Sequence, residues 1–435
     1  MEDIRLTVRF RSDGKYDAGR RIFQCTAGSF QFWRLGDAAG TIASMLSAGG
    51  ITEKDVVRSL STEQKACFED LRLCLELCAE NSSGDVLAVL TPSCSPIPEV
   101  FPVSAGGVLS RFVHFRKIHR GMVLEDPAGV YTISLFCREC WDFLWGEVLI
   151  PNGGISSVIA AWLEMMGCYE EMIPQKMDFW EPHDLYFHWR SRGTRNACGR
   201  PQPYRHSGCL DPLPVLKPVF GETVILDDPC SLPEKNFADV LLSRHSRRKL
   251  HGSIPFETFS AFLRLSAKVK QIREDCTGGI SFRPSPSAGA LHGLEIYPAV
   301  LSVDGIRPGL YRYDPGQHVL ENISDVYMPI LHQARQMAAS SSPPAVCCVI
   351  TARFARYQYK YSRIAYSVML KDAGCLHQTM SLAAEYLGLG SVILGDVPPE
   401  PFVTAAGLEW SEESPVGAFS LGMADVAQDL RKGYE

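Results

Sequence analysis

Between Thr194 and Lys235 the chain carries Pro201, Pro203, Pro212, Pro214, Pro218, Pro229 and Pro233. Each proline fixes φ and removes a backbone donor, so this stretch is expected to be loop rather than regular structure. It divides the chain. With 435 residues in all, both flanks are long enough for domains of ordinary size. The stretch therefore reads as an extended connector over 194–236, wrapping from one domain to the next, with a carboxy-terminal domain over 237–435.

The composition, 46% hydrophobic and 21% charged, supplies material for sizeable cores. A formal net charge of −6 argues against a general nucleic-acid binder, although Arg190 to Arg200 is locally basic. No membrane partner is expected. The apolar stretch Val148 to Met166 is broken by Pro151, Asn152 and Glu164 and is too short to span. The amino terminus alternates polar and apolar residues like a strand and has acid where a signal peptide has base. The 15 cysteines are scattered, with Cys67, Cys74 and Cys78 at helical spacing. Without an export signal, that usage points to a reducing, cytoplasmic compartment. Cys137 and Cys140 form a C-x-x-C with no second pair at sensible spacing, so core cysteine is preferred over zinc.

The first half carries a weak internal repeat. Leu6 to Phe10 reads as a strand, and Trp33 to Leu46 as a helix. Ile51 to Leu60 reads as a second helix, with Thr52 at its N-cap and Asp55 three residues on. Further along, strand-like Arg111 to Lys117 and Val130 to Leu135 precede helical Glu139 to Trp145 and Ile155 to Met166. Strands followed by short helices are the pattern of small winged-helix-like modules, expected over 1–100 and 101–193. Such modules bind a peptide as an added strand, or simply pack to stabilise a dimer.

The second half mixes helices and strands and reads as α+β. Phe259 to Val269 is an amphipathic helix; Glu295 to Val303, Gly309 to Asp314 and Ala345 to Thr351 are strands. The longest helix runs from Arg363 to Leu387 and stops at Gly388. Its Tyr366, Met369, Leu370, Ala373, Leu376, Met380, Ala383, Ala384 and Leu387 advance by threes and fours, so one face is continuous core.

Three segments could carry chemistry. Arg244-His-Ser-Arg-Arg248 gathers cations and a hydroxyl, suited to a phosphate or to ring carbonyls, and equally to a solvated basic turn. The small residues of Ser285-Pro-Ser-Ala-Gly-Ala-Leu291 let backbone amides approach a flat ring, or make an ordinary tight turn. Tyr357 to Arg363 interleaves aromatics with Lys360 and Arg363, lining a wet groove or snorkelling at a helix start. His183, Asp184 and His188 suggest a metal site only weakly. Asp184 and His188 share a helix face, but no third ligand stands nearby, so structural hydrogen bonding is preferred and no metal is expected.

Taken in order, these motifs resemble a known family. R-x-S-x-R (Arg244, Ser246, Arg248) is followed by P-S-A-G-A-L with Glu295 and Tyr297, then by Gly309 to Asp314. Lys360-Tyr-x-x-Arg363, Asp372 to Gln378 and Leu387 to Ser391 complete the series. The order looks like the SagB-type dehydrogenase branch (McbC-like and cyanobactin oxidase-like) of the nitroreductase-like superfamily, over roughly Phe237 to Met423. Phe179 to Gly193 resembles the segment that precedes that domain. The resemblance implies an α+β nitroreductase-like domain, a central mainly antiparallel sheet flanked by helices, behind tandem small winged-helix-like modules. It implies a homodimer holding FMN at its interface and oxidising thiazoline or oxazoline (azoline) rings to thiazoles or oxazoles. The substrate would be peptide or carrier-bound, a cyclodehydratase a possible partner, and the first half a peptide-binding segment.

By the same resemblance, Arg244, His245, Ser246 and Arg248 hold the FMN phosphate and ring oxygens. Pro286, Ser287, Ala288 and Gly289 lie along the isoalloxazine, Leu389 and Gly390 at its opposite edge, and Lys360 with Tyr361 is the catalytic pair. One departure stands out: Ser391 to Asp429 contains no lysine or arginine for the phosphate. Either Arg244 and Arg248 suffice, or Arg283, Arg353 or Arg356 substitutes. Lys360 serves as a base only where desolvation and nearby cations (Arg356, Arg363) favour its neutral form. Tyr361 relays the proton or holds the ring. Oxygen is the expected electron acceptor, since Leu387 to Ser391 lacks the third glycine of a dinucleotide fingerprint. Two other readings stand: an FMN reductase for quinones or nitro compounds using NAD(P)H, and an inactive peptide-binding scaffold.

Overall fold

A computed structural model describes residues 4–12, 15–18, 22–25, 28–31, 38–58, 60–69, 71–93, 95–98, 100–126, 130–192, 204, 211–227, 231–395 and 397–424. The chain divides into two compact units, Met1–Gln202 and Pro203–Glu435. Among the described residues no helix is long and apolar enough to cross a membrane.

The first unit opens with β1 (Arg5–Phe10) and a small sheet of β2 (Lys15–Asp17), β3 (Ile22–Cys25) and β4 (Gly28–Gln31). Helices α1 (Ala38–Ala48), α2 (Glu53–Arg58) and α3 (Thr62–Glu69) lead to β5 (Leu75–Glu80) and β6 (Val86–Pro92). The later part supplies β7 (His114–Ile118), β8 (Gly121–Glu125), β9 (Tyr131–Leu135), α4 (Arg138–Leu144), α5 (Gly154–Met166) and α6 (Pro182–Arg190). Asn81 folds the β5–β6 hairpin, its side-chain oxygen accepting from the Ser83 and Asp85 amides. Helix α5 buries Ile155, Ile159, Trp162 and Leu163, spaced as one face, and ends at Gly167.

The expected recurrence of strands followed by helices is visible in this order, but its two halves are not separate bodies. β6 pairs with β9, giving one antiparallel sheet ordered β1-β5-β6-β9-β8-β7. A single core joins Ile42 and Leu90 to Leu124, Ile159 and Trp162. Apart, each half would leave an open edge; paired, both are covered. Cys74 and Cys78 also depart from the helical spacing read in the sequence. Cys74 ends a short 3-10 turn (Arg72–Cys74), and Cys78 lies in β5. His183 lies 3.4 Å from Asp184, and His188 packs edge-on against Trp180. Among the described residues no group of three or more His, Cys, Asp or Glu side chains gathers to hold a metal.

The second unit comprises β10 (Thr223–Ile225), α7 (Phe237–Ser243), β11 (Leu250–His251), α8 (Phe256–Ala267), β12 (Gln271–Arg273) and β13 (Ile280–Phe282). There follow β14 (Leu294–Val300), β15 (Gly309–Asp314), β16 (Val319–Ser324), α9 (Met328–Met337), β17 (Val346–Arg353) and α10 (Phe354–Lys360). Helix α11 (Ala365–Leu387), β18 (Leu389–Leu394), α12 (Phe402–Ala406) and β19 (Glu413–Ala424) complete it. Its main sheet runs β10-β16-β15-β14-β17-β19-β11, with β18 also on β19, and every pairing is antiparallel. Both faces of the central strands are buried. Val346, Cys348, Ile350 and Ala352 of β17 pack with α8 and α11, whereas Cys347 and Val349 pack with α9 and α12. An α+β domain with a mainly antiparallel sheet flanked by helices is therefore what the second half forms.

The connector departs from its expected irregularity. Thr223–Ile225 forms an edge strand on β16, within the proline-free interval between Pro218 and Pro229. Polar groups strap the connector to the sheet. Lys217 Nζ donates to Glu413 (2.8 Å) and to the Tyr297 hydroxyl (3.0 Å). Glu321 accepts from the Phe220 and Gly221 amides (2.8 and 2.9 Å) and from Arg312. The Arg356 guanidinium, only 1% exposed, donates to the carbonyls of Leu213, Thr277, Gly279 and Leu291.

Two predictions follow from this buried chemistry. Arg356→Met strips a charged donor from four carbonyls and should lower the unfolding free energy by about 3 kcal/mol or more in chemical denaturation. The second concerns pH. Burial holds the His377 imidazole down to about 4, and burial with the Arg283 and Arg356 charges holds His292 down to about 3. Both stay neutral when folded and take up protons on unfolding below about pH 6.5. Their contribution is complete above that pH and is lost as pH falls toward the folded values. His377→Leu should therefore lose less stability between pH 7 and pH 4 than the parent, measured by denaturation across that range.

Candidate functional site

The segment from Ser285 to Leu291 forms a 3-10 turn at Ala288–Ala290 in which Gly289 takes φ 60°, and Ala290 and His292 follow at 55° and 44°. Such left-handed backbone is costly for side-chain-bearing residues and needs support from outside. Asp372, on α11 and 6% exposed, provides it. Its carboxylate accepts from the Ser287 hydroxyl (2.5 Å), the Ala288 amide (3.0 Å) and the Tyr357 hydroxyl (2.8 Å). Ser287 Oγ in turn accepts from the His292 amide (3.0 Å). Pro286 and Gly289 are left exposed, with Ser287 and Ala288 half-buried. Behind the turn lies a cavity of about 20 Å³, the size of one water, lined by Arg283, Ser285, His292, Glu295, Tyr357 and Asp372 among others.

Lys360 ends α10 and Tyr361 is the residue after it. Both reach the turn: a Cβ placed on Gly289 would stand 2.6 Å from Lys360 Nζ and 2.8 Å from the Tyr361 hydroxyl. Burial, and then the Asp372 charge, push the Tyr361 phenol above its usual range, so it stays protonated and able to donate. The Tyr204 amide donates to the Lys360 carbonyl (3.2 Å), capping α10. Arg356 is committed to its four carbonyls, and Asp275 lies close enough to Lys360 to feel its charge. Slight desolvation opposes ionisation of Asp275, but hydrogen bonds from Thr277 and Gly279, and the Lys360 charge, hold it below the usual carboxylate range.

The basic loop lies elsewhere. Arg247 pairs with Glu385, near the end of α11, and its amide donates to the Ser391 carbonyl (2.8 Å). Arg244 is half-buried and His245, Ser246 and Arg248 are exposed. His245 Nδ1 meets the Ser243 carbonyl at 2.8 Å. Among the described residues, the side chains of Arg244, Ser246 and Arg248 have no hydrogen-bond or ion-pair partner. Asp372 and Glu385 are thirteen positions apart on one helix, about 20 Å along its axis. The structure thus gathers the predicted residues into two clusters at different levels of α11. Pro286, Ser287, Ala288, Gly289, Lys360 and Tyr361 form one; Arg244, His245, Ser246 and Arg248 form the other.

Leu389 lies in the apolar core, and Gly390 is buried where a Cβ would stand 2.7 Å from Leu250, so both also serve packing. Of the arginines offered as phosphate substitutes, Arg353 pairs with Glu295 and Arg356 holds carbonyls, whereas half-buried Arg283 donates to Ser281 and lines the cavity behind the turn. Arg244 and Arg248 remain. Two unpartnered guanidiniums beside a hydroxyl suit a phosphate, and a left-handed turn with no side chain at Gly289 suits a flat ring, so these residues fit FMN. Sequence reasoning used Asp372 only as part of a motif and passed over Glu385. Neither has a local signal, because each acts on a segment far away in the chain.

Asp372→Asn places an amide donor against the Ser287 hydroxyl and the Ala288 N–H. It should cost about 1–3 kcal/mol and speed hydrogen exchange at the amides of the turn, measured against the rest of α11.

A model of the nitroreductase family matches residues 241–423. A Methanocaldococcus jannaschii protein bearing the nitroreductase name is 30% identical over 180 residues, 40% of this chain and 86% of that protein. A Ralstonia eutropha structure with the same family name has 23% identity over 51% of this chain and 97% of its own, at a TM-score of 0.38. One from Anabaena variabilis has 17% identity over 57% and 47%, at 0.40. A chain of the Escherichia coli microcin synthetase McbBCD complex with truncated pro-MccB17 bound has 19% identity over 45% and 75%, at 0.35. With a relative matched at this identity across most of its length, and a family model ending on the last described strand, the chain belongs to the nitroreductase family of oxidoreductases.

Proposed function

We propose that this chain is an FMN-dependent dehydrogenase that oxidises thiazoline and oxazoline rings of a peptide or carrier-bound substrate to thiazoles and oxazoles. The observation that carries the reading is the corner where Gly289 meets Lys360 and Tyr361. The turn suited to a flat ring and the two side chains able to move a proton stand in contact there. FMN, when bound, supplies the acceptor for the hydride lost from the azoline ring carbon. The chain's own task is the proton on the neighbouring Cα. Lys360 Nζ takes it, and Tyr361, which stays protonated, donates to the ring heteroatom and holds the substrate flat. Arg244, Ser246 and Arg248, with His245, hold the phosphate and the ring oxygens.

The separation of the two clusters along α11 favours a site completed by a second copy, the basic loop coming from one protomer and the turn from the other. Apolar side chains are available for that pairing: Phe237, Leu241 and Leu242 on α7, and Tyr366 and Leu370 at the start of α11, are exposed. The first unit is read as the part that engages the peptide. Among the described residues β7 is an edge strand, and Arg116, Lys117, His119 and Arg120 on and after it would favour an acidic segment. A cyclodehydratase would supply the azoline.

Lys360→Ala is expected to keep FMN while slowing flavin reduction by an azoline peptide at least about 100-fold, followed by flavin absorbance under anaerobic conditions. Unchanged reduction sinks the assignment. A second reading, reduction of quinones or nitro compounds with NAD(P)H, is favoured by the name of the Methanocaldococcus jannaschii relative. Rapid bleaching of the flavin by NAD(P)H, with slow bleaching by azoline peptide, would select it.

A further inference from the structure

We propose that Glu385 is a positioning residue for the phosphate receptor: by binding Arg247 back onto α11 it leaves Arg244, Ser246 and Arg248 as the groups of the loop available to a phosphate. The inference rests on the reading of that loop as the FMN phosphate site and names what holds it in shape.

The segment from Arg244 to Lys249 carries Arg244, Arg247, Arg248 and Lys249 beside His245. Cations so close repel one another, and a loop bearing them would splay without a counter-charge. Glu385 supplies the counter-charge at a fixed place. It accepts from the Arg247 guanidinium and, at the other end of the segment, from the Ser243 hydroxyl (2.9 Å). The pair is shielded, with 17% of the Arg247 side chain and 11% of the Glu385 side chain exposed. Two further bonds tighten the frame: the Arg247 amide donates to the Ser391 carbonyl (2.8 Å), and Lys235 Nζ to the Glu385 carbonyl (3.0 Å). The loop is thus anchored on α11 at Ser243 and on both α11 and β18 at Arg247. The receptor groups flank the second anchor, and Arg248 lines a cavity together with Val392 to Gly395. Burial works against the ionised Glu385 carboxyl, yet Arg247 and Ser243 hold it below the usual range, so the anchor stays charged at neutral pH. A salt bridge serving folding alone would not distinguish between ligands with and without a phosphate. A positioning residue for the receptor would.

The test measures binding of FMN and of riboflavin, which lacks the phosphate, to the flavin-free full chain by quenching of flavin fluorescence. Glu385→Gln is expected to weaken FMN about tenfold and leave riboflavin within about twofold. The charge-swapped double variant, Arg247→Glu with Glu385→Arg, should recover most of the FMN affinity. Equal weakening of both flavins would overturn the inference, because the bridge would then be merely structural. Tighter FMN binding by Glu385→Gln would also overturn it, since Arg247 would then be a receptor that Glu385 withholds. The reading beneath is tested by Arg244→Met with Arg248→Met. If that variant keeps the preference for FMN, the phosphate assignment falls; if it loses the preference while Glu385→Gln keeps it, only the positioning role falls. A parent chain that binds no FMN overturns both. Should Glu385→Gln fail to fold, Arg247→Met breaks the same pair and is read in the same way.

Discussion

Helix α11 carries two carboxylates, Asp372 and Glu385, and each fixes the shape of a segment distant in sequence. Asp372 gathers a hydroxyl, an amide and a phenol so that the turn at Ala288–Ala290 keeps its left-handed backbone. Glu385 binds Arg247 and Ser243 so that a run of cations keeps one conformation. The helix can do this because Met369, Ala373, Leu376 and Met380 lock it in the core. A carboxylate on a helix so embedded has little freedom, and what it binds inherits that order. Both site clusters therefore depend on the register of one helix.

The second constraint is the handling of buried charge. The inner strands β14 and β17 are buried along their whole length, so a charge at their ends must find a partner. Arg312 finds Glu321, Arg353 finds Glu295, and Lys217 finds Glu413. Arg356 has carbonyls instead of a carboxylate, and two of them, on Leu213 and Gly279, belong to segments with little packing of their own. Each partnership costs desolvation and returns geometry: the connector and the β12–β13 region are held against a domain that their few apolar residues could not bind alone.

Much of this was legible in the sequence. The threes-and-fours spacing marked α11, although Tyr366 and Leu370, expected on its core face, are exposed, and apolar runs marked β14 and β17, because those signals depend only on nearby residues. The motif around Gly289 was visible as small residues, and Lys360 with Tyr361 by resemblance. Boundaries were less legible: the connector hid β10, since proline punctuates a chain without saying what lies between two prolines. The apparent pair of modules in the first half followed the local order of elements, whereas the pairing of β6 with β9, which makes them one sheet, is a long-range choice.

The sequence by itself determined that the chain has two parts, that the second is α+β, and which residue types could meet an anion, a flat ring and a proton. It could do so because spacing and side-chain chemistry are local properties. Only the tertiary structure decided that Gly289 meets Lys360 and Tyr361, that Arg356 is a clasp and not a ligand, and that Asp372 and Glu385 set the two clusters at different levels of one helix. Those are decisions about which distant residues share a place, and they follow from how the helix packs on the sheet, which no short stretch of sequence contains.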